Sequence, residues 1–86
     1  MPFKACSHTL YKELDGEAVA LNLQTGQYYS LNEIAARMWA LLLELDSSQE
    51  VITAIMDEYE VTQEAAQGDL ERLIRDLKTS GLVEET

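Results

Sequence analysis

Apolar and polar positions alternate in two short runs near the front of the chain, then give way to helical spacing that continues almost to the end. The first clear run is Val19 to Leu23, where Val19, Leu21 and Leu23 point one way and Ala18, Ala20 and Asn22 the other. Period two of this kind marks a strand. Gln24-Thr25-Gly26 turns the chain, and Gln27 to Leu31 returns as the next strand. If Leu31 faces the core, Tyr29 does too, with Tyr28 and Ser30 turned away. Upstream, residues 8–14 (HTLYKEL) form a plausible first strand with a less regular pattern, Leu10 and Leu14 sharing a face with Lys12. Asp15-Gly16 between the first two strands favours positive φ at both positions, which suits a two-residue hairpin.

Helical periodicity starts without a linker. Asn32 is a good N-cap, since its side-chain oxygen can accept from an orphan amide of the first turn. Ile34, Met38, Trp39, Leu42 and Leu45 then recur along one side. A second helix is expected from Ser47, with Glu50 completing a capping box and Val51, Ile52, Ile55, Met56 and Tyr59 on its apolar face. Thr62 caps a third helix whose stripe is Ala66, Leu70, Leu73, Ile74 and Leu77. Gly81 stands at the C′ position, followed by Leu82, which can fold back on the last turn. The pattern predicts one α+β domain over residues 1–86: a three-stranded antiparallel sheet (about 8–31), then three helices (about 33–80). Helices two and three have helix-turn-helix spacing, which makes the layout winged-helix-like, with the wing in front. Because the third strand ends in a helix cap in so small a protein, it is expected at the sheet edge. Its backbone donors and acceptors would then be open to another chain.

Composition narrows the function. The 86 residues suit one core, and 47% hydrophobic content lets it form but leaves little room for a deep substrate cavity. With 16 acidic and 6 basic side chains, the net charge of −10 repels phosphate backbones. It suits a basic or neutral partner. No long apolar run or signal-peptide pattern occurs, so a cytoplasmic protein with no membrane association is expected.

Catalytic chemistry is poorly supplied. His8 is the only histidine and Cys6 the only cysteine, two residues apart near the N-terminus with no third group to orient them. A zinc site needs three or four nitrogen, sulfur or carboxylate ligands in a fixed set, and the chain offers two of the softer kind. There is no glycine-rich phosphate loop and no dinucleotide fingerprint. Asp57, Glu58 and Glu60 surround a helix end and read as solvated charge. Asp46-Ser47-Ser48 touches on the Asp-Ser-Leu motif of acyl carrier proteins, but serine replaces the leucine and helix capping accounts for Ser47. No enzyme, metal or cofactor is expected.

The ordered set of segments points to a family. The run GQYYSLNEIAARMW, preceded by ALNLQTG, resembles the strand-turn-strand-helix core of the pyrroloquinoline-quinone biosynthesis protein D superfamily. EYEVTQEAAQGDLERLIRDLKTSGLVEE is similar to that family's closing pattern, so the likeness spans about residues 8–84. The resemblance implies a recognition element for ribosomally made, post-translationally modified peptides. Such an element holds a precursor's leader as an added strand on the third strand, beside the third helix, for a partner enzyme. At this length it looks most like the free-standing element of lasso-peptide pathways, whose partners are a leader protease and a ring-forming cyclase. Recognition elements of radical-enzyme pathways such as PQQ biosynthesis share the pattern.

Applied to these residues, the groove floor is Gln27, Tyr28, Tyr29, Ser30 and Leu31, acting chiefly through backbone. Its wall is Asp69, Arg72, Leu73, Asp76 and Leu77, at spacings along one side of the third helix. Leu73 and Leu77 also fit a purely core role. The rival is a winged-helix regulator reading DNA through that helix. Its Glu64, Asp69, Glu71 and Asp76 outnumber Arg72, Arg75 and Lys78, contrary to the charge such binding needs. An open edge strand also allows self-pairing, so a monomer or weak dimer is expected.

Overall fold

A computed structural model describes residues 3–45 and 47–85; Asp46, considered above for the carrier motif, lies outside them. The order is β1 (Phe3–Ala5), β2 (Thr9–Leu14), β3 (Glu17–Asn22), β4 (Tyr28–Leu31), α1 (Glu33–Glu44), α2 (Ser48–Glu58), α3 (Gln63–Thr79) and β5 (Val83–Glu85). β2, β3 and β4 form the expected antiparallel sheet in that order, so β4 is an edge strand. Asp15 and Gly16 both adopt positive φ, at 50° and 84°, in the tight first hairpin. Asn32, Ser47 and Thr62 cap the three helices, each accepting from the amide three residues on.

Two expectations need correcting. The chain's ends form an unforeseen second sheet, with β1 antiparallel to β5. Three-residue strands carry no readable period, and their partners lie at opposite ends of the sequence. His8, which has no chemical partner in sequence, is tied into this end of the fold, because its Nε2 donates to Gly81 O at 2.8 Å. The second correction concerns Met56, placed by periodicity on the apolar face of the second helix but exposed in the structure.

The larger surprise lies in β3. The bulkier Val19, Leu21 and Leu23 face outward, whereas Ala18, Ala20 and Asn22 are buried. Cross-strand register explains why. Ala20 lies between Tyr11 on β2 and Tyr29 on β4, a large-small-large row on the inner face. The small central residue leaves room for α1, and Trp39 stacks on Tyr11 with ring centroids 4.9 Å apart and an interplanar angle of 7°. Core volume thus comes from the flanking strands and the helix, in place of the middle strand. Met38, Leu41, Leu42, Val51, Ile55, Leu70, Leu77 and Leu82 complete the core.

The end of α3 is stitched to the sheet. Gly81, at φ 70°, donates to Lys78 O, and Leu82 N donates to Leu77 O, a Schellman cap that folds Leu82 back into the core. This leaves carbonyls facing the first strands. Asn22 Nδ2 donates to Ser80 O at 2.9 Å, and Thr9 Oγ1 donates to Leu82 O at 2.8 Å. Asn22 Oδ1 also accepts from the Gln24 amide at 2.9 Å and the Thr25 amide at 3.3 Å. One buried side chain therefore holds both the β3–β4 turn and the end of α3.

Three stability outcomes follow. Asn22→Ala strands these groups and should cost about 1–3 kcal/mol in urea unfolding. The Tyr11 hydroxyl is buried and has no hydrogen-bond partner among the described residues. Tyr11→Phe should therefore change stability by under about 1 kcal/mol, whereas Trp39→Ala should cost roughly 3–5 kcal/mol. A large loss for Tyr11→Phe would show that the hydroxyl is satisfied.

Candidate functional site

The outer edge of β4 is defined by hydrogen-bond parity. Asn22 N donates to Gln27 O at 2.8 Å, which fixes Asn22 and Gln27 as a bonded pair. Bonded and non-bonded pairs alternate along an antiparallel ladder. Ala20–Tyr29 and Ala18–Leu31 are therefore the next bonded pairs, and Tyr29 and Leu31 spend their backbone groups on β3. The amides and carbonyls of Tyr28 and Ser30 point outward, where no other described strand pairs with them.

α3 runs beside this edge and a hollow lies between them. Its volume is about 190 Å³, and it is lined by Tyr29, Asn32, Ile34, Ala35, Met38, Asp69, Arg72 and Leu73. Ile34, Ala35, Met38 and Leu73 supply apolar walls, with Asp69 and Arg72 exposed at the rim. Asp69 and Arg72 form a loose ion pair at 3.8 Å; both are largely solvated, so it adds little rigidity. A firmer tie comes from β4 itself. The Tyr29 hydroxyl donates to Asp76 Oδ2 at 3.0 Å, joining the edge strand to α3 directly. Burial, then the Asp76 bond and charge, raise the Tyr29 pKa, with Arg72 opposing.

The structure brings most of the anticipated residues to one place, in different roles. Tyr28 and Ser30 are the exposed backbone rail, and Gln27 lies exposed just before it. Tyr29 and Asp76 form the crosslink, and Asp69, Arg72 and Leu73 line the hollow. Leu31 and Leu77, 2% and 0% exposed, are core residues that support the groove from beneath. The first turns of α1 were missed: Asn32, Ile34, Ala35 and Met38. Ile34 and Met38 stood on the helical stripe, and their place directly after an edge strand was the available signal. A separate depression of about 240 Å³ lies elsewhere, lined by Glu13, Gly16, Glu33, Ala36, Arg37, Ala40 and Tyr59. Its Arg37 is already bound to Glu58 through two hydrogen bonds of 2.8 and 2.9 Å.

An open strand edge alongside a helix and an apolar hollow is a geometry for holding extended peptide. Comparison with known proteins agrees with it. The profile of the family described as Coenzyme PQQ synthesis protein D (PqqD) matches residues 17–83. The chain belongs to the PqqD family. Among solved structures, this PqqD-family chain is similar to TbiB1 in complex with the TbiA(beta) leader peptide. The identity is 34%, the TM-score 0.84, and 96% of each chain is covered. It is also similar to a lasso peptide synthetase B1 complexed with the leader peptide, at 28% identity and TM-score 0.87, covering 99% of this chain and 100% of that one. No curated protein matches the chain. Among the described residues no group of three or more histidine, cysteine, aspartate or glutamate side chains is placed to hold a metal ion. Among the same residues no helix is long and apolar enough to cross a membrane.

The Tyr29–Asp76 bond has a measurable signature. Tyr29→Phe should lower stability by about 1 kcal/mol at neutral pH. A raised phenol pKa means the folded state keeps the proton to higher pH than the unfolded state does. The stabilisation is therefore complete below about pH 10 and declines as pH rises through the folded-state value. The gap between wild type and Tyr29→Phe in thermal unfolding should narrow above that pH. A gap independent of pH would mean that the bond is absent.

Proposed function

We propose that this chain is a non-catalytic adaptor that binds the leader segment of a ribosomally made precursor peptide. The leader adds as a strand to β4 beside α3 and is thereby delivered to a processing enzyme. A leader protease and a ring-forming cyclase of a lasso-peptide pathway are the partners that fit best, acting in the cytoplasm on one peptide-recognition domain. The observation that carries this reading is the outward backbone rail of Tyr28 and Ser30 set against an apolar hollow. The two leader-bound relatives, aligned over nearly the whole chain, support it.

Magnitudes assign separate jobs to rail and hollow. Tyr28 and Ser30 together offer about four backbone hydrogen bonds, at roughly 1 kcal/mol net each. Ordering each peptide residue costs about 1–2 kcal/mol, which nearly cancels that gain. Affinity must come from side chains entering the hollow, at roughly 1.5–3 kcal/mol for each large apolar group buried. The rail sets direction and register. Ile34, Ala35, Met38 and Leu73 reward an apolar anchor, and Asp69, Arg72 and Asp76 grade the polar residues beside it.

A recognition element serving a radical enzyme, as in PQQ biosynthesis, is the second reading, and the family match supports it less than the leader-bound relatives support the first. The leader-bound relatives weigh toward the lasso pathway. DNA reading is disfavoured by the −10 charge and the acidic excess on α3.

Titration with synthetic leader peptides of lasso-peptide precursors tests the proposal, with mass spectrometry expected to find the bound peptide intact. Ser30→Pro removes one outward amide while leaving the bonds to β3 in place. It should weaken binding about tenfold or more, equivalent to about 1.4 kcal/mol, with an unchanged circular dichroism spectrum. Undiminished affinity would exclude the β4 edge. Tyr29→Pro is the wrong probe, because that amide pairs with β3.

A further inference from the structure

Helix α1 stands between two concavities. Ile34, Ala35 and Met38 face the peptide hollow, whereas Glu33, Ala36, Arg37 and Ala40 line the separate depression of about 240 Å³. Their spacing places these four along another side of the helix. Glu13 near the end of β2, Gly16 in the hairpin turn and Tyr59 after α2 complete the depression. Nothing in the peptide-binding reading uses it.

The lining selects for a cation. Arg37 is consumed by Glu58, which grips it through two hydrogen bonds of 2.8 and 2.9 Å. Glu13 and Glu33 form no ion pair among the described residues, and Glu33 accepts only from the Tyr59 hydroxyl, at 3.3 Å. Two carboxylates are thus left uncompensated, with Asp15 and Glu17 on either side of Gly16 adding to the same field. Ala36 and Ala40 form a small-residue floor, and Tyr59 supplies an aromatic wall. A lysine or arginine suits such a lining, since its aliphatic stem packs on apolar surface while its head stays charged and meets aromatic and anionic groups. The volume falls below the roughly 300–1,000 Å³ of small-molecule pockets, which points to one side chain rather than a whole small molecule.

Register shows where that side chain comes from. Glu13, Ala18 and Leu31 are partners in one row across the sheet, so a strand added to β4 stands fourth in that row. Three strand spacings of about 4.8 Å separate it from Glu13, a span covered by about four to five extended residues. β4 also ends at Leu31 and passes through Asn32 into α1, so a peptide leaving the groove at that end meets Glu33 and its helical turn first. A solvated ion pair is too weak to retain a free protein. The same contact becomes useful on a short tether, which holds its tip at a high effective concentration.

Building on the peptide-binding reading above, we propose that this depression is a second subsite for the same peptide. It takes a lysine or arginine from the flank that leaves the groove at the Leu31 end, about four to five residues beyond the strand-forming segment. The groove then recognises an extended apolar segment, and the depression recognises a basic residue at a fixed distance from it.

The test uses the full chain and synthetic lasso-precursor leader peptides, with blocked ends and a four-residue Gly-Ser tether added at one terminus or the other. Each tether is tipped with lysine or with neutral glutamine. At one terminus only, the lysine-tipped peptide should bind at least about threefold more tightly than its glutamine twin. Glu13→Gln/Glu33→Gln should erase that preference while leaving the glutamine-tipped peptide within about twofold of its wild-type affinity. Ala40→Met, which fills the depression without changing charge, should erase it too. No preference for lysine at either terminus would overturn the proposal. So would a preference that survives in Ala40→Met, since it would reflect diffuse attraction to the acidic chain. If wild type binds neither peptide, the peptide-binding reading falls and the second subsite with it, an outcome distinct from equal binding of both.

Discussion

Everything near the groove depends on how α3 is pinned against a sheet only three strands wide, and Asn22 joins the two directly. Buried at the end of β3, it donates to the last turn of α3 and accepts from the turn leading into β4. A buried amide is costly unless its donors and acceptors are used, and here one side chain reaches both walls of the groove. The two walls cannot drift apart without stranding polar groups. Gly81 makes the approach possible, because a side-chain carbon there would lie 3.0 Å from Asn22 Nδ2 and its φ is 70°.

From that anchor the groove is built in steps. Asn22 fixes the β3–β4 turn, which sets the parity of β4 and decides which residues turn their backbone outward. The Tyr29–Asp76 bond repeats the tie farther along α3. The N-cap at Asn32 then redirects the chain into α1 at once, so Ile34 and Met38 floor the space between strand and helix. Rigidity of this kind suits a binder whose ligand arrives disordered. The peptide bears the ordering cost, and a preformed groove adds little to it.

Division of labour between the two sheet faces follows from size. Alanines on the inner side of β3 let α1 approach, and Tyr11, Tyr29 and Trp39 fill the volume. The larger aliphatic residues are left outside, where they serve no packing need of the domain. A capture edge and an apolar platform meet at Tyr28 and Ser30.

Much of this was legible in the residues alone. Period-two runs, Asp15-Gly16, and the capping residues Asn32, Ser47 and Thr62 are local signals, and they located the main strands and helices because local backbone preferences dominate there. The edge position of β4 followed from the same local reading. Which face of β3 turns inward did not, since Val19 and Leu21 are better hydrophobes than Ala18 and Ala20; the width left for α1 decided it. The β1–β5 pairing and the links from His8, Thr9 and Asn22 to the end of α3 join residues separated by 58 or more positions. No window along the chain contains both partners of such a contact. Local backbone chemistry determined the parts and the open edge of the sheet, whereas the hollow beside that edge exists only where residues 29–38 meet residues 69–73, two stretches that no local signal brings together.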